Sequence, residues 1–270
     1  MYGHAAKQYQ LAKCFNKAAE CYLKQVEFHR RLGSALEMAM AYRYAGLMYE
    51  KQENAQECCR YLLRAKELFA VEGRLSECAK LAQKRAQIFE KAEIMDFCVE
   101  SYREAAELYD GEGQSGESRN CNLKIAHHKA LELGQEPLKH AIRIYEEIAK
   151  VSLESDLQKW SVKQYYLKAL ICNLVLASNN LGVSVDDVRD RRAEYCGLDP
   201  NFEETREDNL IVGCLNSIDE GDAELFATSC SEFDEITKLD TWQTSMLLRA
   251  KKGIDDPEAG EPFDIEYMIN

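Results

Sequence analysis

Gly111, Gly113 and Gly116 in "LYDGEGQSGES" fall in the order G-x-G-x-x-G, a spacing that can cradle a phosphate where it follows a strand and opens a helix. Here the preceding segment, "ESYREAAELY", has helical periodicity, and Gly113 occupies the position that Gly33 and Gly73 hold in earlier segments. The glycines therefore read as a turn, with Gly111 and Gly116 lengthening it. His127-His128 is the one histidine cluster, and no carboxylate or cysteine stands at triad or metal-ligand spacing from it. It reads as a packing or surface pair. The eleven cysteines include no C-x-x-C pair, and adjacent Cys58 and Cys59 diverge on a helix. Cys14, Cys21, Cys78, Cys98 and Cys172 sit among alanines, where a reduced thiol behaves as a small apolar residue. These residues support neither catalysis nor a metal or cofactor, and the chain reads as a non-enzyme.

The elements around these residues repeat. Ala65, Glu67, Leu68, Phe69, Glu72 and Gly73 recur forty residues on at Ala105, Glu107, Leu108, Tyr109, Glu112 and Gly113. Tyr49 and Phe89 share the same step, and the aromatics that close successive units run Phe28, Phe69, Tyr109, Tyr145. A period of this length predicts stacked helix hairpins. Alanines let neighbouring helices approach, the closing aromatic fills the space to the next hairpin, and glycine stops the second helix. The expected fold is all-α: a TPR-like superhelical array of antiparallel hairpins over residues 1–150, followed by a C-terminal helical bundle over 151–254.

Beyond "RIYEEIAK" the period fades. A long helix is predicted in "LQKWSVKQYYLKALICNLVLA", with Trp160, Tyr165, Leu167, Leu170 and Leu174 on its apolar face. A shorter helix follows in "VSVDDVRDRRAEYC", then two helices separated by Gly221. The closing helix lies in "LDTWQTSMLLRAKKGI", with Asp240 the better N-cap and Trp242, Met246 and Leu247 facing inward. Residues 255–270, "DDPEAGEPFDIEYMIN", hold six acids and no base, and read as a flexible acidic tail with an apolar tip at Tyr267-Met268-Ile269. The tip either folds back on the closing helix or is bound by a partner.

Charge narrows the partners. Residues 1–150 carry 23 Lys and Arg against 22 Asp and Glu, whereas 151–270 carry 11 against 25. An acidic chain of net charge −13 is a poor nucleic-acid binder, because phosphate neutralisation needs a basic surface. No run of eighteen apolar residues occurs, and "MYGHAAKQYQ" has no apolar signal block, so an intracellular location is expected. One charge pattern stands out. Arg43, Lys84, Lys124 and Lys163 follow at steps of 41, 40 and 39, which repeat geometry would align as a ladder. Lys80 lies one turn from Lys84, and Arg119 lies near Lys124. Such a ladder is either a solvated face or a reader of an elongated acidic surface.

With these features in hand, the chain resembles the soluble N-ethylmaleimide-sensitive-factor (NSF) attachment proteins. The likeness is strongest in "LDTWQTSMLLRAKKGI" and continues through "KWSVKQYYLKALIC", "EEIA", "YDGEGQSGESRNCNLKIA" and "AVEGR", covering nearly the whole chain. The resemblance implies a non-catalytic adaptor that binds an assembled SNARE four-helix bundle and recruits a hexameric NSF-type AAA ATPase, which takes the bundle apart in vesicle fusion. It implies a cytoplasmic protein, peripheral on the cytosolic face of membranes. The family's SNARE-contacting cations correspond to Arg74, Lys80, Lys124, Lys163 and Arg206, and Lys84 joins them from the ladder. One family lysine corresponds to Asn120, with Arg119 beside it as the substitute charge. The ATPase-binding set corresponds to Leu239, Asp240, Arg249, Lys251 and Lys252 of the closing helix, with Met268 and Ile269 of the tail; Ile269 stands where the family has leucine. Relative to the family pattern the chain starts inside the second hairpin, without the hydrophobic loop that touches the membrane. Two other readings remain: a general TPR-like scaffold that binds a short peptide, and a nucleotide- or thiol-dependent enzyme.

Overall fold

In the computed structural model of the chain, residues 2–256 are described, and among them there are thirteen α-helices and no strand. Contacts divide the chain into two compact units, Met1–Ile125 and Ala126–Asn270. The tail tip, with Met268 and Ile269, lies outside the described residues.

The first unit holds α1 (Tyr2–Leu11), α2 (Phe15–Leu32), α3 (Ala35–Glu50), α4 (Ala55–Val71), α5 (Leu75–Lys91), α6 (Met95–Gly111) and the greater part of α7 (Ser115–Leu131). From α1 to α6 each helix packs on the next. The turns have a common device: Lys13, Gly33, Glu53, Gly73, Glu93 and Gly113 all take positive φ, between 56° and 70°. They are spaced every twenty residues, so the forty-residue sequence period is two helices of nearly equal length with their turns. Glycine fills every second turn, where it adopts the left-handed conformation without a Cβ penalty. Only Gly113 of the G-x-G-x-x-G glycines belongs to a turn. Gly111 ends α6 and Gly116 lies in the first turn of α7, so they do not lengthen the connection.

Alanines form the seams. Ala18, Ala19, Ala39, Ala45, Ala65, Ala79, Ala82 and Ala105 are fully buried, and Gly46 sits so close to α4 that a Cβ there would stand 3.0 Å from Leu62 Cδ2. Phe69 and Tyr109 are buried in the first unit, as is Tyr145 in the second, but Phe28 is 54% exposed. Phe28 precedes Phe69 by 41 residues instead of forty. One residue turns a helical side chain by about 100°, which carries it out of the core. Cys14 is also exposed: it occupies the turn before α2 and never enters a helix seam. Cys21 is half-buried, and Cys78 and Cys98 are core residues.

The second unit continues with α8 (Gln135–Leu153), α9 (Val162–Ser178), α10 (Val185–Leu198), α11 (Arg206–Glu220), α12 (Ala223–Ile236) and α13 (Thr241–Asp255). Its centre is α9, against which α8, α10, α11 and α13 all pack. Every residue from Ala169 to Ser178 is buried, as expected of a helix that is apolar on all sides. Leu167, Leu170 and Leu174 are fully buried, but Trp160 is 78% exposed. It belongs to a single 3₁₀ turn, Lys159–Ser161, and falls outside the helical register that begins at Val162.

The later helices start where cap chemistry dictates. Ser184 and Asp187 form a capping box on α10, as do Asp240 and Gln243 on α13, while Thr205 and Asp222 cap α11 and α12. Gly221, at φ 65°, ends α11. A buried carboxylate locks α10 to α11: Arg192 donates from Nε and Nη2 to the two oxygens of Asp208 at 2.5 and 2.6 Å.

Candidate partner-binding surfaces

In the first unit the ladder cations Arg43, Lys84 and Lys124 lie on α3, α5 and α7, but only Lys84 and Lys124 are equivalent; Arg43, 41 residues before Lys84, is one residue out of register and makes a different bridge. Lys84 on α5 meets Glu50 on α3 at 2.7 Å, and Lys124 on α7 meets Glu90 on α5 at 2.9 Å. Both members of the first pair recur forty residues on, so the repeat carries one inter-helix bridge twice. Arg43 on α3 reaches Glu77 on α5 at 2.9 Å, and Lys80 reaches the other oxygen of Glu77 at the same distance. Hydrogen bonding from Lys80, together with the charges of Lys80, Arg43 and Arg74, holds the Glu77 carboxyl below the usual carboxylate range. Three cations therefore surround one acid, and the local balance is positive. Arg74 and Lys80 are exposed, and the Lys124 side chain is about half exposed. Arg119 is half-buried on α7, whereas neighbouring Asn120 is exposed.

In the second unit Lys163, in the first turn of α9, contacts the buried carboxylate of Glu207 at 3.0 Å, and Gln164 donates to the same oxygen at 2.8 Å. Arg206 occupies the first position of α11, beside Glu207, and is exposed. A cation at a helix N-terminus opposes the helix dipole, so the position is not explained by helix stability.

The closing helix divides into an inward and an outward set. Trp242 is buried; its Nε1 donates to the His127 carbonyl at 3.2 Å, its ring meets Tyr145 edge-on at 6.0 Å, and Lys168 lies over its face at 5.4 Å. Arg249 turns inward as well, donating from Nη1 to the carbonyls of Ala130 and Glu132 at the end of α7. Burial lowers the guanidinium pKa there. Gly253 allows the end of α13 to touch α9, since a Cβ would stand 2.5 Å from the Ser178 carbonyl oxygen. Lys251 bridges to Glu224 on α12, Leu239 is half-buried, and Lys252 is exposed. Leu248, one turn before Lys252, is 52% exposed and was not singled out by the sequence pattern. Its signal was the second of two consecutive leucines in a helix whose inward face needs only the first.

The family described as soluble NSF attachment protein matches residues 1–255. The chain belongs to that family. The alpha-soluble NSF attachment protein of Vitis vinifera is 34% identical over 260 residues, which is 96% of this chain and 86% of the relative. The human alpha-soluble NSF attachment protein is 31% identical over the same length, covering 84% of that protein. The vesicular-fusion protein SEC17 of Komagataella phaffii is 30% identical over 259 residues, again 96% of this chain. The soluble NSF attachment proteins are non-catalytic adaptors, and this chain is not an enzyme.

The chemistry of the remaining groups fits an adaptor. Burial pushes Cys58 up to about 12 and Cys59, Cys98 and Cys121 up to about 11, so these thiols stay protonated at neutral pH. His128 is buried and His127 packs against Trp242 at 5.8 Å, a packing role for the histidine pair. Among the described residues no three His, Cys, Asp or Glu side chains are grouped to hold a metal, and no helix is long and apolar enough to cross a membrane.

Proposed function

We propose that this family member acts as an adaptor in vesicle fusion, binding an assembled SNARE four-helix bundle and presenting it to a hexameric NSF-type AAA ATPase. In this reading the hairpin repeats of residues 1–150, together with Lys163 and Arg206 beyond them, carry the bundle-binding face, and the closing helix with the acidic tail carries the ATPase-binding elements. The protein works in the cytoplasm, peripheral on the cytosolic face of membranes.

The observation that carries this reading is the repeated cation placement of the first unit. Lys84 and Lys124 stand forty residues apart in identical bridges, and Arg43, Arg74 and Lys80 gather around Glu77. Partly exposed bridges of this kind contribute about 0–1 kcal/mol each. An acidic partner can therefore replace Glu50 and Glu90 at little cost, while the protein keeps the lysines extended and correctly spaced. Lys163 and Arg206 supply the corresponding cations of the second unit, and Arg206 gives the helix N-terminus nothing in return for its charge.

The test is Lys80→Glu combined with Lys124→Glu. Binding to an assembled SNARE bundle, measured by sedimentation or interferometry, is expected to be abolished while circular dichroism stays unchanged and the melting temperature falls only slightly, as two weak bridges are lost. Binding at the unaltered level would remove the ladder from the interface.

A second reading, a general peptide-binding scaffold, is favoured by one groove of about 460 Å³ in the first unit. Tyr42 and Tyr61 line it and stack at 6.0 Å, with Glu20 and Glu27 at its edge. Capture of short unfolded peptides in that groove, indifferent to whether SNAREs are assembled, would favour the scaffold.

A further inference from the structure

We infer that the second unit carries a small-molecule site between α8 and α10, fitted to an organic anion with an apolar body. The site is a cavity of about 430 Å³, walled by the later turns of α8 and α10 and reaching Tyr166 of α9. That volume lies in the range of ligand pockets, which are mostly apolar with a few converging polar groups. None of the cations read as contacting SNAREs, and none of the ATPase-binding set, lies on α8 or α10. The site therefore stands apart from the surfaces of the adaptor reading and does not rest on it.

One buried polar atom in the cavity lining lacks a partner. Tyr166 is 2% exposed, and its hydroxyl makes no hydrogen bond among the described residues. Burying a hydroxyl unsatisfied costs free energy, so phenylalanine would serve packing better at this position. The ring is held in place: it stacks on Tyr195 at 4.3 Å with an interplanar angle of 11°, and meets Phe202 edge-on at 5.5 Å. Tyr195, its stacking neighbour, has found an acceptor, donating to Glu146 at 2.6 Å. Burial, with the charges of Asp199 and Glu146, pushes Tyr166 up to about 12, so its hydroxyl keeps the proton and can donate.

The charges around the cavity sort into partnered and unpartnered groups. Glu146 accepts from Arg191 at 3.2 Å as well as from Tyr195, and Arg191 also meets Glu194 at 3.5 Å. Arg143 and Lys150 line the same cavity, and neither pairs with an acid among the described residues. The one side-chain hydrogen bond of Arg143 runs from Nε to the Lys139 carbonyl of its own helix. Glu147 lies between the two cations on α8 and pairs with neither, so two unpartnered cations face one unpartnered acid. Leu153 and Leu198 complete the lining, and Leu198 is 64% exposed, an apolar wall left facing water. An organic anion meets each of these needs. Its head group pairs with Arg143 and Lys150, its body covers the leucines and the stacked tyrosines, and it supplies the acceptor that Tyr166 lacks.

The experiment titrates the full chain with anilinonaphthalene sulfonate, followed by its fluorescence, and then adds laurate as a competitor. One saturable site per chain is expected. Displacement by laurate assigns an aliphatic body, and sulfonate binding that laurate does not displace assigns an aromatic one. Arg143→Glu combined with Lys150→Glu is expected to weaken binding about tenfold or more, and Glu147→Gln to tighten it about twofold, with circular dichroism unchanged. Tyr166→Phe gives a readout that a purely structural tyrosine would not: affinity falls about fivefold while the melting temperature of the unliganded protein rises. The inference is overturned if neither probe binds saturably, or if binding ignores the charge changes. A lower melting temperature for Tyr166→Phe would overturn it as well, because the hydroxyl would then already have its partner within the fold.

Discussion

Lys84 and Lys124 could serve the fold or a partner, and their acidic neighbours separate the two roles. If the Glu50–Lys84 bridge exists to join α3 to α5, then Glu50→Gln only removes a weak stabilising contact. If Lys84 is held ready for an acidic partner, Glu50 competes with that partner, and removing its charge strengthens binding. The bridge is about one-third exposed on both sides, so its worth is roughly 0.5–1 kcal/mol. Glu50→Gln is therefore expected to tighten binding to the SNARE bundle by about two- to fivefold, read by titration at fixed ionic strength. The melting temperature should fall slightly. A weaker complex would place Lys84 with the fold. At this scale the sequence showed the cations, because their forty-residue step is visible without a structure. Their carboxylate partners were not legible, because a bridge between α3 and α5 joins residues 34 apart and follows no local spacing rule.

Helices of nearly equal length explain why the repeat was legible and where its reading failed. The forty-residue recurrence of Gly33, Gly73 and Gly113 marked the C-terminal stop of every second helix. The alternate stops, Lys13, Glu53 and Glu93, take the same left-handed conformation without glycine and gave no sequence signal. Left-handed backbone costs a residue with a Cβ roughly 1–2 kcal/mol, partly offset by the greater entropy glycine loses on folding. A Cβ added at Gly73 would meet no atom within 4 Å, so a substitution there tests conformation alone. Gly73→Ala is expected to destabilise the protein by about 1 kcal/mol, and Glu53→Gly to stabilise it by about 0.5 kcal/mol, in denaturant titrations. Equal effects of either sign at both positions would mean that the turns are not governed by backbone conformation. Elements whose ends carry their own chemistry were the most legible: Asp240 caps α13, and Gly221 ends α11. Phe28 and Trp160 were misplaced for a common reason. Each was assigned by periodicity alone, one residue or one turn away from the true register.

Across the whole molecule the charges present a difficulty that the adaptor reading must meet. A chain of net charge −13 is asked to bind an acidic bundle. Screening resolves it: the Debye length at physiological ionic strength is about 8 Å, so an acid farther than that from a contact counts little against the cation that makes it. In the adaptor reading, binding then depends on local placement, and the apolar tail tip is proposed to serve a different partner. That separation assigns the tail its test. Deleting Met268–Asn270 removes two large apolar side chains and no cation that the bundle could use. Burying one such side chain is worth about 1.5–3 kcal/mol, so losing both from an ATPase contact weakens it by roughly a hundredfold or more. The truncated protein is expected to bind assembled SNAREs as the full chain does, yet fail to stimulate ATP hydrolysis by the hexamer. A parallel loss of both activities would place the apolar tip on the SNARE side. Stimulation at the full level would leave the closing helix, with exposed Leu248 and Lys252, as the element that engages the ATPase.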